Sequence, residues 1–167
     1  AANRLINTVT QFDSSIAGNA GHATYEYDGT TARWRMVEHT QGAAIAFTST
    51  WTASGTAPAI GNGTIAASYH VTGAGVDVII QLDAGSTTTF GTGDWSFSIK
   101  GTETAYLLLG GLATDASIAR YIGVSLFQTG TTINYFDDNT GLAATVTTPF
   151  AWGSSDQLIL FARYIVN

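Results

Sequence analysis

The chain has no cysteine and only two prolines, Pro58 and Pro149, among 167 residues. Without cysteine, neither a disulfide framework nor a thiolate metal site can form. Basic residues are scarce too: six Lys and Arg stand against twelve Asp and Glu, and Lys100 is the one lysine. A net charge of −6 leaves too few cations to neutralise a phosphate backbone, which argues against a nucleic-acid partner. The same shortage argues against attachment to an anionic membrane surface. No run approaches the ~20 apolar residues of a membrane-spanning helix. Ala1-Ala2-Asn3-Arg4 lacks the charged-then-apolar pattern of a signal peptide, and the start reads as that of a cut or processed chain.

Charge of either sign is low, at 11% of residues against ~25% in ordinary soluble domains. Threonine, serine, glycine and alanine take its place. A chain of this kind either hides much of its surface in an assembly or shows an uncharged, hydroxyl-rich exterior. Its length fits one domain plus a short extension, large enough for a core without covalent staples.

Helical periodicity is weak, because Gly and Thr recur every few residues and disfavour helices. The best helical candidate is Asn7 to Ile16. Strand patterns are clearer. Val76, Val78, Ile80 and Leu82 fall on one face of a strand, with Asp77 and Gln81 on the other. Trp95-Ser96-Phe97-Ser98-Ile99 alternates apolar and serine. Ile122, Val124 and Leu126 form a further apolar face opposite Gly123 and Ser125. Gly130-Thr131-Thr132 turns into Ile133-Asn134-Tyr135-Phe136, and Asp137 to Gly141 is a loop by composition. Short strands separated by Gly-rich turns predict an all-β fold, an antiparallel jelly-roll-like β-sandwich.

The last strand, Gln157 to Val166, is apolar on both faces. Leu158, Leu160, Tyr164 and Val166 share one face; Ile159, Phe161 and Ile165 share the other, broken by Arg163. An outer strand of a lone sandwich has one wet face. Either a second layer of the chain or another subunit covers Ile159, Phe161 and Ile165, and the subunit alternative makes them candidates for a homotrimer interface. Upstream, Thr24 to Tyr27 and Arg33 to Val37 flank Asp28-Gly29, a hairpin signal. Gln41 to Ser49 reads as a polar linker. Residues 1–45 are therefore a connector with one hairpin, and residues 46–167 the main domain.

Three segments recur in a recognisable order: Trp51-Thr52-Ala53-Ser54-Gly55, Gly61-Asn62-Gly63-Thr64, and Gly85-Ser86-Thr87-Thr88-Thr89-Phe90-Gly91 running on to Trp95-Ser96-Phe97-Ser98. This series resembles the C-terminal domain of minor tail and tail-fibre proteins of phages infecting actinobacteria. Tyr27-Asp28-Gly29 with Trp34 resembles the aromatic hairpin found upstream in that family, and Pro149-Phe150-Ala151-Trp152 with Gln157 to Leu160 resembles its ending. The likeness spans roughly residues 25–167. One departure is Ile99-Lys100-Gly101, where the family often has Leu-Pro. The resemblance implies a β-sandwich that trimerises on a virion, in a tail fibre or minor tail tip. A head fibre or capsid decoration protein is the alternative.

The GSTTTFGTG segment makes physical sense as an end-closing loop. Gly85, Gly91 and Gly93 admit turns, Thr87 to Thr89 can bond local backbone, and Phe90 is an apolar plug. Catalytic signals are weak. The carboxylate pairs Glu26/Asp28 and Asp137/Asp138, and Asp94 beside Trp95, lie in turn-like stretches where capping is the usual role. Asp137, Asn139 and Gly141 lack the distal Glu of a calcium loop, and His22, His39 and His70 are scattered. Gly61-Asn62-Gly63 and Gly73-Ala74-Gly75 lack the Lys of a phosphate loop. No enzyme activity, cofactor or metal is expected.

Sugar binding favours flat rings beside amides and carboxylates. Tyr135, Phe136, Asp137, Asp138, Asn139 and Trp152 are the candidate set for a host cell-surface glycan, if their loops meet. Core packing is the ordinary role of Trp152, and one of Tyr135 and Phe136 must point outward if they share a strand. The expected partners are two further copies of the chain and, through the N-terminal segment, other virion proteins.

Overall fold

The computed structural model describes residues 23–28, 33–39, 44–72, 75–101, 103–116, 119–129 and 131–166, with side chains omitted at 23–28, 33–39, 72, 103–108, 126–129 and 166. The helical candidate Asn7 to Ile16, the Gly29 turn, His22 and Gly73-Ala74 lie outside these residues. Every regular element described is a strand. β1 (Ala23–Asp28) and β2 (Arg33–His39) form an antiparallel hairpin. The other nine are β3 (Ile45–Phe47), β4 (Trp51–Ala53), β5 (Thr64–Thr72), β6 (Gly75–Asp83), β7 (Trp95–Ser98), β8 (Glu103–Thr114), β9 (Arg120–Thr129), β10 (Thr132–Asp137) and β11 (Gln157–Val166). They form one antiparallel sheet in the order β3-β5-β6-β11-β8-β9-β10-β7-β4.

The sheet is curled. Its two edges, β3 and β4, are consecutive in sequence and separated only by residues 48–50. Four Cα steps reach at most about 14 Å, so the edges must approach each other. Hydrogen bonds fix that corner: Ser49 Oγ donates to Ser98 O (2.8 Å), and Thr50 N donates to Ser98 Oγ (2.8 Å). The stretch read as a polar linker thus contains an edge strand.

Between β8 and β9 the ladder is short. They pair only from Gly111↔Gly123 to Thr114↔Arg120, while β8 continues along β11 and β9 along β10. Where that ladder stops, the buried Ser125 hydroxyl donates to Gly110 O at 2.6 Å, replacing the lost strand partner. The Tyr135 ring fills the concave side. A methyl added at Gly111 would meet its Cδ2 at 2.6 Å, and one at Gly123 would meet its Cε2 at 2.6 Å. Glycine at both positions is what lets an aromatic ring lie against the bend.

The concave face holds one core. Val76, Val78, Ile80 and Leu82 of β6 and Leu158, Leu160, Ala162 and Tyr164 of β11 line one side. Ile133 and Tyr135 of β10, with Trp95 and Phe97 of β7, line the other. The alternation read in β6, β7 and β11 agrees with this. β9 alternates as read, but its apolar face is the outer one: Gly123 and Ser125 point inward, and Ile122 and Val124 point out. Tyr135 decides the matter, because its ring occupies the space that larger β9 side chains would need.

Candidate functional site

The motif-like segments come together at one end of the sheet, where they bond mainly to one another. Asn62 Oδ1 accepts from Thr87 N and Thr87 Oγ1, both at 2.9 Å, and Asn62 N donates to Thr87 Oγ1 at 2.9 Å. Thr88 Oγ1 donates to Ile60 O at 2.6 Å. Thr56 N donates to Thr92 Oγ1 and Asp94 N to Ser54 Oγ, each at 2.9 Å. Gly91 takes φ +65° with the Thr56 carbonyl against its Cα, a place for no other residue. Phe90 packs against Trp95 (5.8 Å) and Trp51 (6.2 Å), so it does plug this end. With these hydroxyls and amides engaged internally, the loop end reads as a clasp, not a ligand cleft.

The six residues proposed for sugar contact do not converge on a surface. Tyr135 is fully buried, its hydroxyl donating to Tyr121 O at 3.1 Å. Burial, with Asp137 and Asp138 nearby, pushes its pKa well above the usual phenol value. Trp152 is buried among Trp95 (5.0 Å), Phe150 (4.5 Å) and Phe90, and its indole N–H donates to Thr148 O at 3.0 Å. Asp137 is buried as a turn cap, accepting from Thr140 N (3.1 Å) and Thr140 Oγ1 (2.8 Å). Phe136 is half-buried on the outer face; Asp138 and Asn139 are exposed in the turn. Among the described residues, no group of three or more His, Cys, Asp or Glu is placed to hold a metal.

The surface feature that stands out is the convex face of the sheet. Register places its side chains in level rows. Ile79, Phe161 and Gly110 form one row; Gln81, Ile159, Leu112 and Ile122 form the next. Val124, one residue beyond Gly123, is level with Gly110. Ile122 is 73% exposed, Ile79 53%, Val124 42% and Phe161 41%, so this four-strand band is both apolar and open. Soluble monomers rarely expose contiguous apolar patches above roughly a few hundred Å². The Phe161 ring lies on Gly110, where an added methyl would meet Cε2 and Cε1 at 2.7 and 2.8 Å. Ile159 is half-buried in the band, and Ile165 is half-buried beyond Arg163.

Polar rows close the band at both ends. At one end Arg163 Nε pairs with Asp77 Oδ1 at 3.4 Å, with His70 in the same row. At the other, Asp83 accepts from Gln81 Nε2 (2.9 Å) and Gln157 Nε2 (2.6 Å), and the row continues through Thr114 to Arg120. An apolar centre with a polar rim is the anatomy of a protein interface. Sequence reasoning found the β11 part of this band from its two apolar faces. It missed Ile79, because one isoleucine between Asp77 and Gln81 does not register as a face, and it grouped Ile122 with Val124 without giving their face a direction. No family model matches the chain, and neither a curated protein nor a solved structure matches it.

Proposed function

We propose that this chain is the non-enzymatic, trimer-forming end domain of a bacteriophage virion fibre or minor tail protein, aiding adhesion to the host cell. The observation that carries the reading is the open apolar band, which contains Ile159 and Phe161 and needs a covering partner. In this reading the curled sheet packs as a jelly-roll-like sandwich in a homotrimer, with Ile159, Phe161 and Ile165 turned toward neighbouring copies. The low charge supports it, since surface hidden in an assembly needs few solvating groups. The family-like series supports it too: WTASG, GNGT and GSTTTFG interlock as one clasp, a structural reason for the three to occur together.

The test is direct. Labelled soluble domain is applied to actinobacterial cells, and phage adsorption is measured with and without it. Surface labelling or blocked adsorption supports the proposal; a domain that does neither, on a strain sensitive to the parent phage, refutes the adhesion role. The one second reading is a head fibre or capsid decoration protein, in which the same sheet serves a structural role and residues 1–24 clamp onto capsid subunits. Antibody staining of the capsid on whole virions would select it.

A further inference from the structure

The row that closes one end of the apolar band carries opposite charge at its two sides. In that row the β6 side holds Asp83, with Asp77 further along the strand, and the β9 side holds Arg120; Asp138 stands exposed beside Ile122, one row away. Arg163, on β11 between the two sides, is engaged by Asp77, whereas Arg120 has no ion-pair partner among the described residues. Register sets Asp83 and Arg120 in the same row, three strands apart, and Ile79 level with Val124. A two-fold interface is self-complementary, residue i meeting j and j meeting i, and closes at two chains, whereas a head-to-tail interface joins two different patches and closes into a ring. Opposite charges at equal height on opposite sides let copies related by an axis along the strands pair them, and three chains, as in the trimer reading, require the ring.

We infer that the band closes a ring of copies of this chain, the β6 side of one copy meeting the β9 side of the next. This rests on the trimer reading above and adds its geometry. An axis roughly parallel to the strands keeps the rows level as it carries one copy onto its neighbour. Asp83 then meets the next copy's Arg120, Ile79 meets its Val124, and Phe161, Ile159 and Leu112 fill the middle. Gln81 and Gln157 hold the Asp83 carboxylate in place, at 2.9 and 2.6 Å, for the incoming guanidinium.

The absence of native cysteine makes the test clean. Ile79→Cys, Val124→Cys and the double variant are treated with a bismaleimide shorter than the ~14 Å spanned by three strand spacings, which separate the two sites within one chain. The double variant is expected to give covalent two- and three-chain species, and neither single variant any. Arg120→Asp should lower the native mass from three chains to one, and adding Asp83→Arg should restore it. Cross-linking that stops at two chains in the double variant, or that appears in a single variant, shows two-fold pairing and overturns the inference. So does a three-chain mass with no cross-link in the double variant, which places the contact elsewhere. Both results leave the fibre reading standing. A single-chain mass for the unaltered protein overturns the ring and the trimer together.

Discussion

Adjacent residues of β11 separate the two faces of the sheet. Leu160 is fully buried in the concave core, and its neighbour Phe161 stands 41% exposed on the convex band. Leu160→Ala removes buried methyl groups and leaves a cavity, at a cost of about 2–5 kcal/mol. With a urea dependence of ~1–3 kcal/mol per molar, the unfolding midpoint should fall by roughly 1–2 M with an unchanged slope. Phe161→Ala should behave differently. Full burial of a Phe stabilises by ~1.5–3 kcal/mol; the ring is partly covered within one chain, so that chain should lose only about 1–2 kcal/mol. In the proposed assembly the rest of its contribution belongs to association. Unfolding of the unaltered protein should therefore shift to higher urea as protein concentration rises. Leu160→Ala should keep that concentration dependence and Phe161→Ala should lose most of it. Equal cost for both substitutions, with concentration dependence intact in both, would refute the assignment of the two faces.

Three further outcomes follow from the packing. Asp156 is buried and accepts from Gly153 N (2.6 Å) and Ala116 N (2.9 Å), so Asp156→Ala should cost about 3 kcal/mol in denaturant unfolding, as two bonds to a carboxylate are lost. Gly123→Ala should cost ~1–3 kcal/mol by driving a methyl into the Phe136 carbonyl and the Tyr135 ring, whereas Gly141→Ala meets no such contact within 4 Å and is strained only through its φ of +67°. Tyr135 and Tyr164 both have phenol pKa values raised by burial, the latter while donating to Lys100 O at 2.7 Å. A raised folded-state pKa means that the stabilisation is complete below the unfolded value of about 10 and is lost as pH climbs above it. Denaturant midpoints measured across alkaline pH, with phenolate absorbance followed in parallel, should show stability falling above about pH 10.

The strands with strict alternation were legible because one apolar and one polar residue per step leave a single solution. That holds for β6, β7 and the inner face of β11. β8 was not legible: its Tyr-Leu-Leu-Leu-Gly-Gly-Leu run has no period of two, and it becomes a strand only because β11 and β9 flank it. β9 showed its period but not its direction. Ile122 and Val124 look like core, yet Tyr135, twelve residues on, takes the inner space beside Gly123. A choice made by a distant ring is invisible to local periodicity. The candidate glycan set failed to gather for a related reason. Composition identified the Asp137 to Gly141 turn, but the turn consumes Asp137 as its own cap, and the aromatic cluster takes Trp152 inward. The apolar side of β11 was legible because an excess of hydrophobic residues on a second face has no solvent explanation.

An interface between copies of this chain on the convex band would show in the native mass. Light scattering on the eluting peak of a size-exclusion column, run over a dilution series, tests it most directly. The account predicts a mass near three times the 17.5 kDa chain, falling toward one chain only on extreme dilution or in Phe161→Ala. A mass of one chain at every concentration would contradict it.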